Sequence, residues 1–190
     1  MTIPDPKSTL VEGLGRLNEQ VLEKLDGLSE YDLRRPVTST GTNLLGLVKH
    51  LASVQAGYFG ATFGRPFPGE LPFDDDDPQA DLYATADETS QSVKEFYRAS
   101  WRHAEETFAE ADLDTAGKVP WWSDDEVSLH QILVHMTNET ARHAGHIDIV
   151  RETIDGAVGR GATDRNIVEG YDWPAYVEKL EAIARRADAR

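Results

Sequence analysis

The chain has 190 residues, 39% of them hydrophobic and 28% charged, with no cysteine and a formal net charge of −15. That length suits one domain, residues 1–190, with a genuine core, and the absence of any run of about 18 apolar residues excludes a spanning helix. Without cysteine there are no disulfides, thiolate nucleophiles or cysteine-ligated metals, and the acidic balance argues against nucleic acid as a partner. Apolar residues recur at helical spacing over residues 8–25 (Leu10, Val11, Leu14, Leu17, Val21, Leu22, Leu25), with Ser8 as the expected cap. A Thr/Ser/Gly-rich link at 38–42 precedes a second helix carrying Leu44, Leu47, Leu51, Val54 and Tyr58, ending near Gly60 or Gly64. Residues 65–84 hold Pro66, Pro68, Pro72, Pro78 and four consecutive aspartates at 74–77, and read as a long solvated loop. The aspartate run lacks the alternating ligands and fixed glycine of a calcium loop.

A third helix is expected over 87–111, with Val93, Tyr97, Trp101, Ala104 and Phe108 inward, followed by a loop carrying Gly117, Pro120, Trp121 and Trp122. The fourth helix starts at Ser128 and runs to about Ile154, where Gly156 and Gly159 stop it. A Gly-rich flexible stretch leads to a short terminal helix from Trp173-Pro174 to about Arg186. Four main helices, long crossings and no strand pattern predict an all-α fold, a four-helix bundle with a short C-terminal helix.

The fourth helix carries the chemistry. At about 100° per residue, with His143 at zero, Ile132 and Val150 fall near −20°, Met136 near +20° and Ile147 near +40°, which puts His143 mid-stripe. Glu139 lies one turn earlier, so a carboxylate and an imidazole emerge together from a face that is otherwise apolar. A buried carboxylate is costly unless neutralised or paired, and a coordinated cation supplies the missing charge. Bundle sites draw ligands from facing helices, and His50, on the flank of the second helix among Asn43, Gly46 and Gly57, is the third candidate. Two imidazoles and one carboxylate suit zinc, with nickel or iron as alternatives, and leave positions open for substrate.

The same pattern admits plainer readings. Glu139 and His143 can form a simple i,i+4 pair, or meet solvent if the helix is rotated, and the motif is not the H-E-x-x-H zinc pattern. His146 is read as a neighbour of the ligands, a proton carrier or a replacement ligand, and His135 as a flank residue. Arg142 and Arg151 bracket the site and suit an acidic substrate, or else face solvent; Trp121 and Trp122 line the pocket mouth or plug the core.

The run Val134-His135-Met136-Thr137-Asn138-Glu139-Thr140-Ala141-Arg142-His143-Ala144-Gly145-His146 is followed by Asp148-Ile149-Val150-Arg151-Glu152 and the Asp155-Gly156 turn. With Leu47-Val48-Lys49-His50-Leu51 upstream and Tyr171-Asp172-Trp173 late in the chain, it resembles the DinB-like superfamily over nearly the whole length. The branch it looks like is the actinobacterial group of mycothiol-dependent S-transferases and mycothiol-dependent maleylpyruvate isomerase. That resemblance implies a metal-binding bundle with His50, Glu139 and His143 as ligands; many relatives use three histidines, and Glu139 matches the mycothiol-linked branch. The isomerase carries a further C-terminal domain not seen here, so thiol transfer is the activity expected.

The resulting expectation is a metal-dependent thiol S-transferase using mycothiol as cosubstrate on a small electrophile, in stress or detoxification, with a homodimer implied by the family. The first seven residues lack a basic region and an apolar core, so a cytoplasmic location is expected. The competing readings are a non-enzymatic metal-binding bundle and a metal-dependent hydrolase.

Overall fold

A computed structural model describes residues 5–123, 125–161, 164 and 166–189. Helices begin where a side-chain oxygen meets the first free backbone N–H groups, and this sets boundaries that periodicity leaves loose. Helix α1, Pro6–Glu23, is capped by Asp5, whose carboxylate accepts from the Ser8 N–H at 3.0 Å. The expected cap Ser8 thus lies inside the helix, because Pro6 is suited to the first turn and moves the start back. Helix α2 is the short Glu30–Arg34, which the sequence reading omitted: five residues are too few to show a period. Helix α3, Leu44–Phe59, is capped by Asn43. Helix α4, Ser90–Glu110, starts three residues later than expected because Thr89 and Ser92 form a reciprocal capping box.

Helix α5, Leu129–Asp155, starts at the expected Ser128 cap and ends at Gly156, whose φ of +79° is the left-handed conformation glycine adopts most cheaply. Directly before α5, Val127–Ser128 (β2) pairs antiparallel with Ala116–Gly117 (β1), a ladder too short to be seen as strand alternation. Helix α6, Trp173–Asp188, is exposed along its whole length. The Gly-rich stretch expected to be flexible lies partly outside the described residues. No helix among the described residues is long and apolar enough to cross a membrane.

Helices α1, α3, α4 and α5 form the bundle, with α3 against α4 and α5, and α1 against α5. The fold is all-α, as expected. Its core is divided into two apolar clusters. One gathers Val21, Leu25, Leu45, Leu51, Val93 and Ile147; the other gathers Leu14, Phe59, Ala104, Phe108, Leu133 and Met136. Between them along the chain lies a polar layer. Asn18 of α1 donates to Gln55 of α3 at 2.9 Å, Gln55 donates to Ser100 of α4 at 2.8 Å, and the buried Tyr97 hydroxyl donates to Asn18. Burial alone pushes the Tyr97 hydroxyl far above its ordinary pKa, so it stays a neutral donor. On α5 the same gap falls between Met136 and Ile147, where Glu139, Thr140 and His143 stand.

Candidate metal centre

Of these three, Thr140 is fully buried, whereas Glu139 and His143 are half-buried. Leu133 and Thr140 lie at about +80° and +60° on the wheel used above, which moves the centre of the buried stripe past His143. His143 therefore stands to one side of its middle, not in it as the spacing predicts, with Glu139 at its edge, and both point toward α3 at a level open to solvent. There they meet His50. The His143 Nε2 lies 3.0 Å from Glu139 Oε1 and the His50 Nε2 lies 3.4 Å from the same oxygen. One ligand atom from each residue lies within 4.8 Å of the others. Nitrogen and oxygen ligands about 2.1 Å from a tetrahedral ion stand about 3.4 Å apart, so small side-chain adjustments bring these three around one cation.

The far side of His50 is also held. Its Nδ1 donates to Asp81 Oδ2 at 2.7 Å, and Asp81 is only 7% exposed. A carboxylate on one ring nitrogen leaves the other aimed at the site with its lone pair, which is how metal-binding histidines are oriented. Asp81 arrives on a segment that the composition marked as solvated loop, and in fact residues 79–88 are strapped to the bundle. Asn43 donates to the Leu82 carbonyl at 3.3 Å, Lys49 to the Tyr83 carbonyl at 3.0 Å, and Arg34 to the Thr85 carbonyl at 2.9 Å. Gly46 lets the strap lie this close: a Cβ there would sit 1.8 Å from the Leu82 carbonyl oxygen. Asp81 carried no local signal, since an aspartate in an acidic, proline-rich stretch has no periodicity to mark it. Asp74, Asp75 and Asp76 stay exposed, as expected, whereas Asp77 is half-buried and accepts from the Tyr83 hydroxyl at 2.7 Å.

The electrostatics favour a cation. Burial alone lowers the His50 pKa, but the Asp81 and Glu139 carboxylates outweigh it and hold the ring above its ordinary value. Burial also raises Glu139, yet His143 and His50 together hold it below the usual range. His143, by contrast, is lowered by burial and by the neighbouring His50. The Glu139 and Asp81 carboxylates thus favour positive charge at His50, which is the charge a metal ion brings to the site.

Asp81→Ala is expected to weaken divalent-metal binding about 10- to 100-fold, the usual cost of losing such a partner. Asp81→Asn, which retains an acceptor, should fall between, and competition against a chromophoric chelator measures both. Unchanged affinity in Asp81→Ala would show that Asp81 only fills space.

The remaining predicted residues divide. His146 stands beside the ligands, with its Nδ1 3.3 Å from that of His143, and lines a pocket of about 610 Å³ that opens over His143. Arg151 does not reach that pocket: its guanidinium donates to the Lys24 and Asp26 carbonyls at 2.7 and 2.8 Å and pairs with Asp155, tying α5 to the end of α1. Arg142 is exposed on α5 and lies outside the pocket lining. Trp121 and Trp122 do not line it either. Both indole N–H groups donate to the Tyr58 hydroxyl, at 3.4 and 3.1 Å, and Trp121 lies against Gly57. His135 packs on Tyr58 and Trp122, closing an aromatic cluster one turn nearer the start of α5. His103 meets the Arg65 carbonyl at 2.7 Å, a structural contact.

A sequence model of the family described as Mycothiol-S-transferase matches residues 9–156, a span that runs from the first turn of α1 to the end of α5 and includes His50, Asp81, Glu139 and His143. A comparison with curated proteins gives no match.

Proposed function

The chain belongs to the mycothiol-S-transferase family, within the DinB-like superfamily, and from that premise we propose that it transfers mycothiol to a small electrophile in detoxification. The observation that carries this reading is the convergence of His50, Glu139 and His143 beside an open pocket, with Asp81 holding His50 from behind. These three residues hold one divalent cation, zinc first and nickel or iron as alternatives by ligand chemistry. When bound, such an ion supplies the Lewis acidity that makes a thiolate available near neutral pH.

The chain's own residues do the rest. Glu139 provides the one anionic ligand, and Asp81 keeps His50 in the tautomer whose Nε2 lone pair faces the site. His146, on the pocket wall, accepts the thiol proton and releases it to water. The sulfur then forms a bond to the electrophilic carbon, and the leaving group departs with the bonding pair. The chain has no cysteine, so the sulfur comes from the cosubstrate.

The test is elemental analysis of the purified protein followed by chelator stripping. About one divalent metal per chain, with transfer lost on stripping and regained on zinc addition, is the expected result. Transfer undiminished in the stripped protein would sink the mechanism, and bound metal without turnover of any thiol would favour a non-enzymatic metal-binding bundle.

A further inference from the structure

The 610 Å³ pocket over His143 and His146 has two kinds of wall. Leu47, Leu82, Ile149 and Val150 make most of it apolar, whereas Thr38, Thr40, Gly41, Thr42 and Asn43 bring a contiguous hydroxyl-rich turn to its edge. No lysine, arginine, aspartate or glutamate lines it among the described residues.

The turn is closed by its own hydrogen bonds. Val37 N–H donates to the Thr42 carbonyl at 2.9 Å and Gly41 N–H to the Thr38 carbonyl at 3.0 Å, closing a loop that requires the left-handed φ of +85° at Gly41. Thr38 Oγ1 accepts from the Thr42 N–H and lies 3.1 Å from Thr40 Oγ1. Asn43 clamps the turn to the strap by donating to the Gly41 and Leu82 carbonyls. Thr38 closes the turn and holds the Thr40 hydroxyl through one hydrogen bond, which leaves the rest of that hydroxyl's capacity and the Thr42 hydroxyl unexplained by local structure. Each hydroxyl offers one donor and two acceptor sites, and here the backbone that carries them is fixed by the turn's own hydrogen bonds.

We infer that the 38–43 turn recognises the polyhydroxylated, uncharged portion of the thiol cosubstrate. The inference rests on the mycothiol reading above and extends it to a binding site. Mycothiol carries its cysteine on an amide-linked glucosamine–inositol unit, rich in hydroxyls and free of carboxylates. A thiol such as glutathione brings two carboxylates, and this pocket presents no cationic side chain to receive them. Threonine hydroxyls instead match a polyol, each sugar hydroxyl exchanging water for a fixed donor or acceptor, while the apolar wall remains for the electrophile. The turn and His143 border one pocket, so a ligand seated on the turn has its sulfur arm directed to the metal centre.

The test uses the full-length, zinc-loaded chain with Thr40→Val and Thr42→Val combined, which keeps Thr38 and the turn. Two thiols are compared, mycothiol and the uncharged truncated N-acetylcysteine methylamide, with 1-chloro-2,4-dinitrobenzene as electrophile. The ratio of kcat/KM for mycothiol over the truncated thiol is expected to fall ten-fold or more in the variant, chiefly through the KM for mycothiol. In parallel, calorimetric titration with the thiol-free N-acetylglucosaminyl-inositol should show binding to the wild type and at least ten-fold weaker binding to the variant. An unchanged ratio together with undiminished transfer overturns the inference and leaves the transferase reading standing. Titration that shows the sugar bound through the threonines, in a protein that turns over no thiol, supports the binding site and removes the transferase reading. Absence of sugar binding to the wild type overturns the inference.

Discussion

Glu139→Ala is expected to cost the protein its bound divalent metal, with a loss of affinity well beyond the about 100-fold ceiling typical of losing an outer partner. Glu139 is the one formal anion among the three ligands, and its Oε1 is the atom on which both histidines converge, at 3.0 and 3.4 Å. Without it, two imidazoles whose centroids are 4.9 Å apart remain, and no anionic ligand is left to offset the charge of the ion. The fold should survive, because the Glu139 side chain is 28% exposed and alanine is a stronger helix former than glutamate. Elemental analysis after gel filtration, wild type beside variant, reads the result. Stoichiometric metal in the variant would mean that the triad is not the binding site.

Gly46→Ala is the second large effect, and two opposing contributions decide its sign. Alanine in a helix interior is favoured over glycine by about 1 kcal/mol. Against that, the new Cβ would lie 1.8 Å from the Leu82 carbonyl oxygen and 2.5 Å from its carbon, both backbone atoms that no rotamer change can clear. Overpacking of this kind costs about 1–3 kcal/mol and occasionally more, and this approach is severe enough to place it at the upper end. The strap must therefore lift from α3, carrying Asp81 away from His50 and breaking the Asn43 to Leu82 hydrogen bond. The expected outcome is a net destabilisation of about 2 kcal/mol in urea unfolding, together with a fall in metal affinity comparable to that of Asp81→Ala. Gly145→Ala on α5 is the control: nothing lies within 4 Å of its Cβ, so the helix preference acts alone and the protein gains stability. If Gly46→Ala keeps full metal affinity, the strap does not position His50.

These two residues also show how far the sequence reaches. Glu139 and His143 are four apart on a helix whose apolar period is plain, so their shared face follows from 3.6 residues per turn, and the cap at Ser128 and stop at Gly156 follow from local chemistry. Their pairing with His50 was likewise legible as one of the readings, because bundle sites draw side chains from facing helices. The four long helices and the all-α class were determined in the same way, by periodicity and composition.

Tertiary structure decided the rest. His143 lies to one side of the centre of the buried stripe because Leu133 and Thr140 pull that centre away, a matter of which side of α5 the neighbouring helices cover. Arg151 grips the end of α1, and the paired tryptophans sit on Tyr58, because hydrogen-bond partners far along the chain claimed them. Asp81 entered the site through a 79–88 segment with no periodicity, held by carbonyls that Asn43, Lys49 and Arg34 reach across the fold. Local pattern records which face a residue occupies on its own element. Which distant backbone meets that face depends on packing, and the support behind His50 was therefore invisible until the chain was folded.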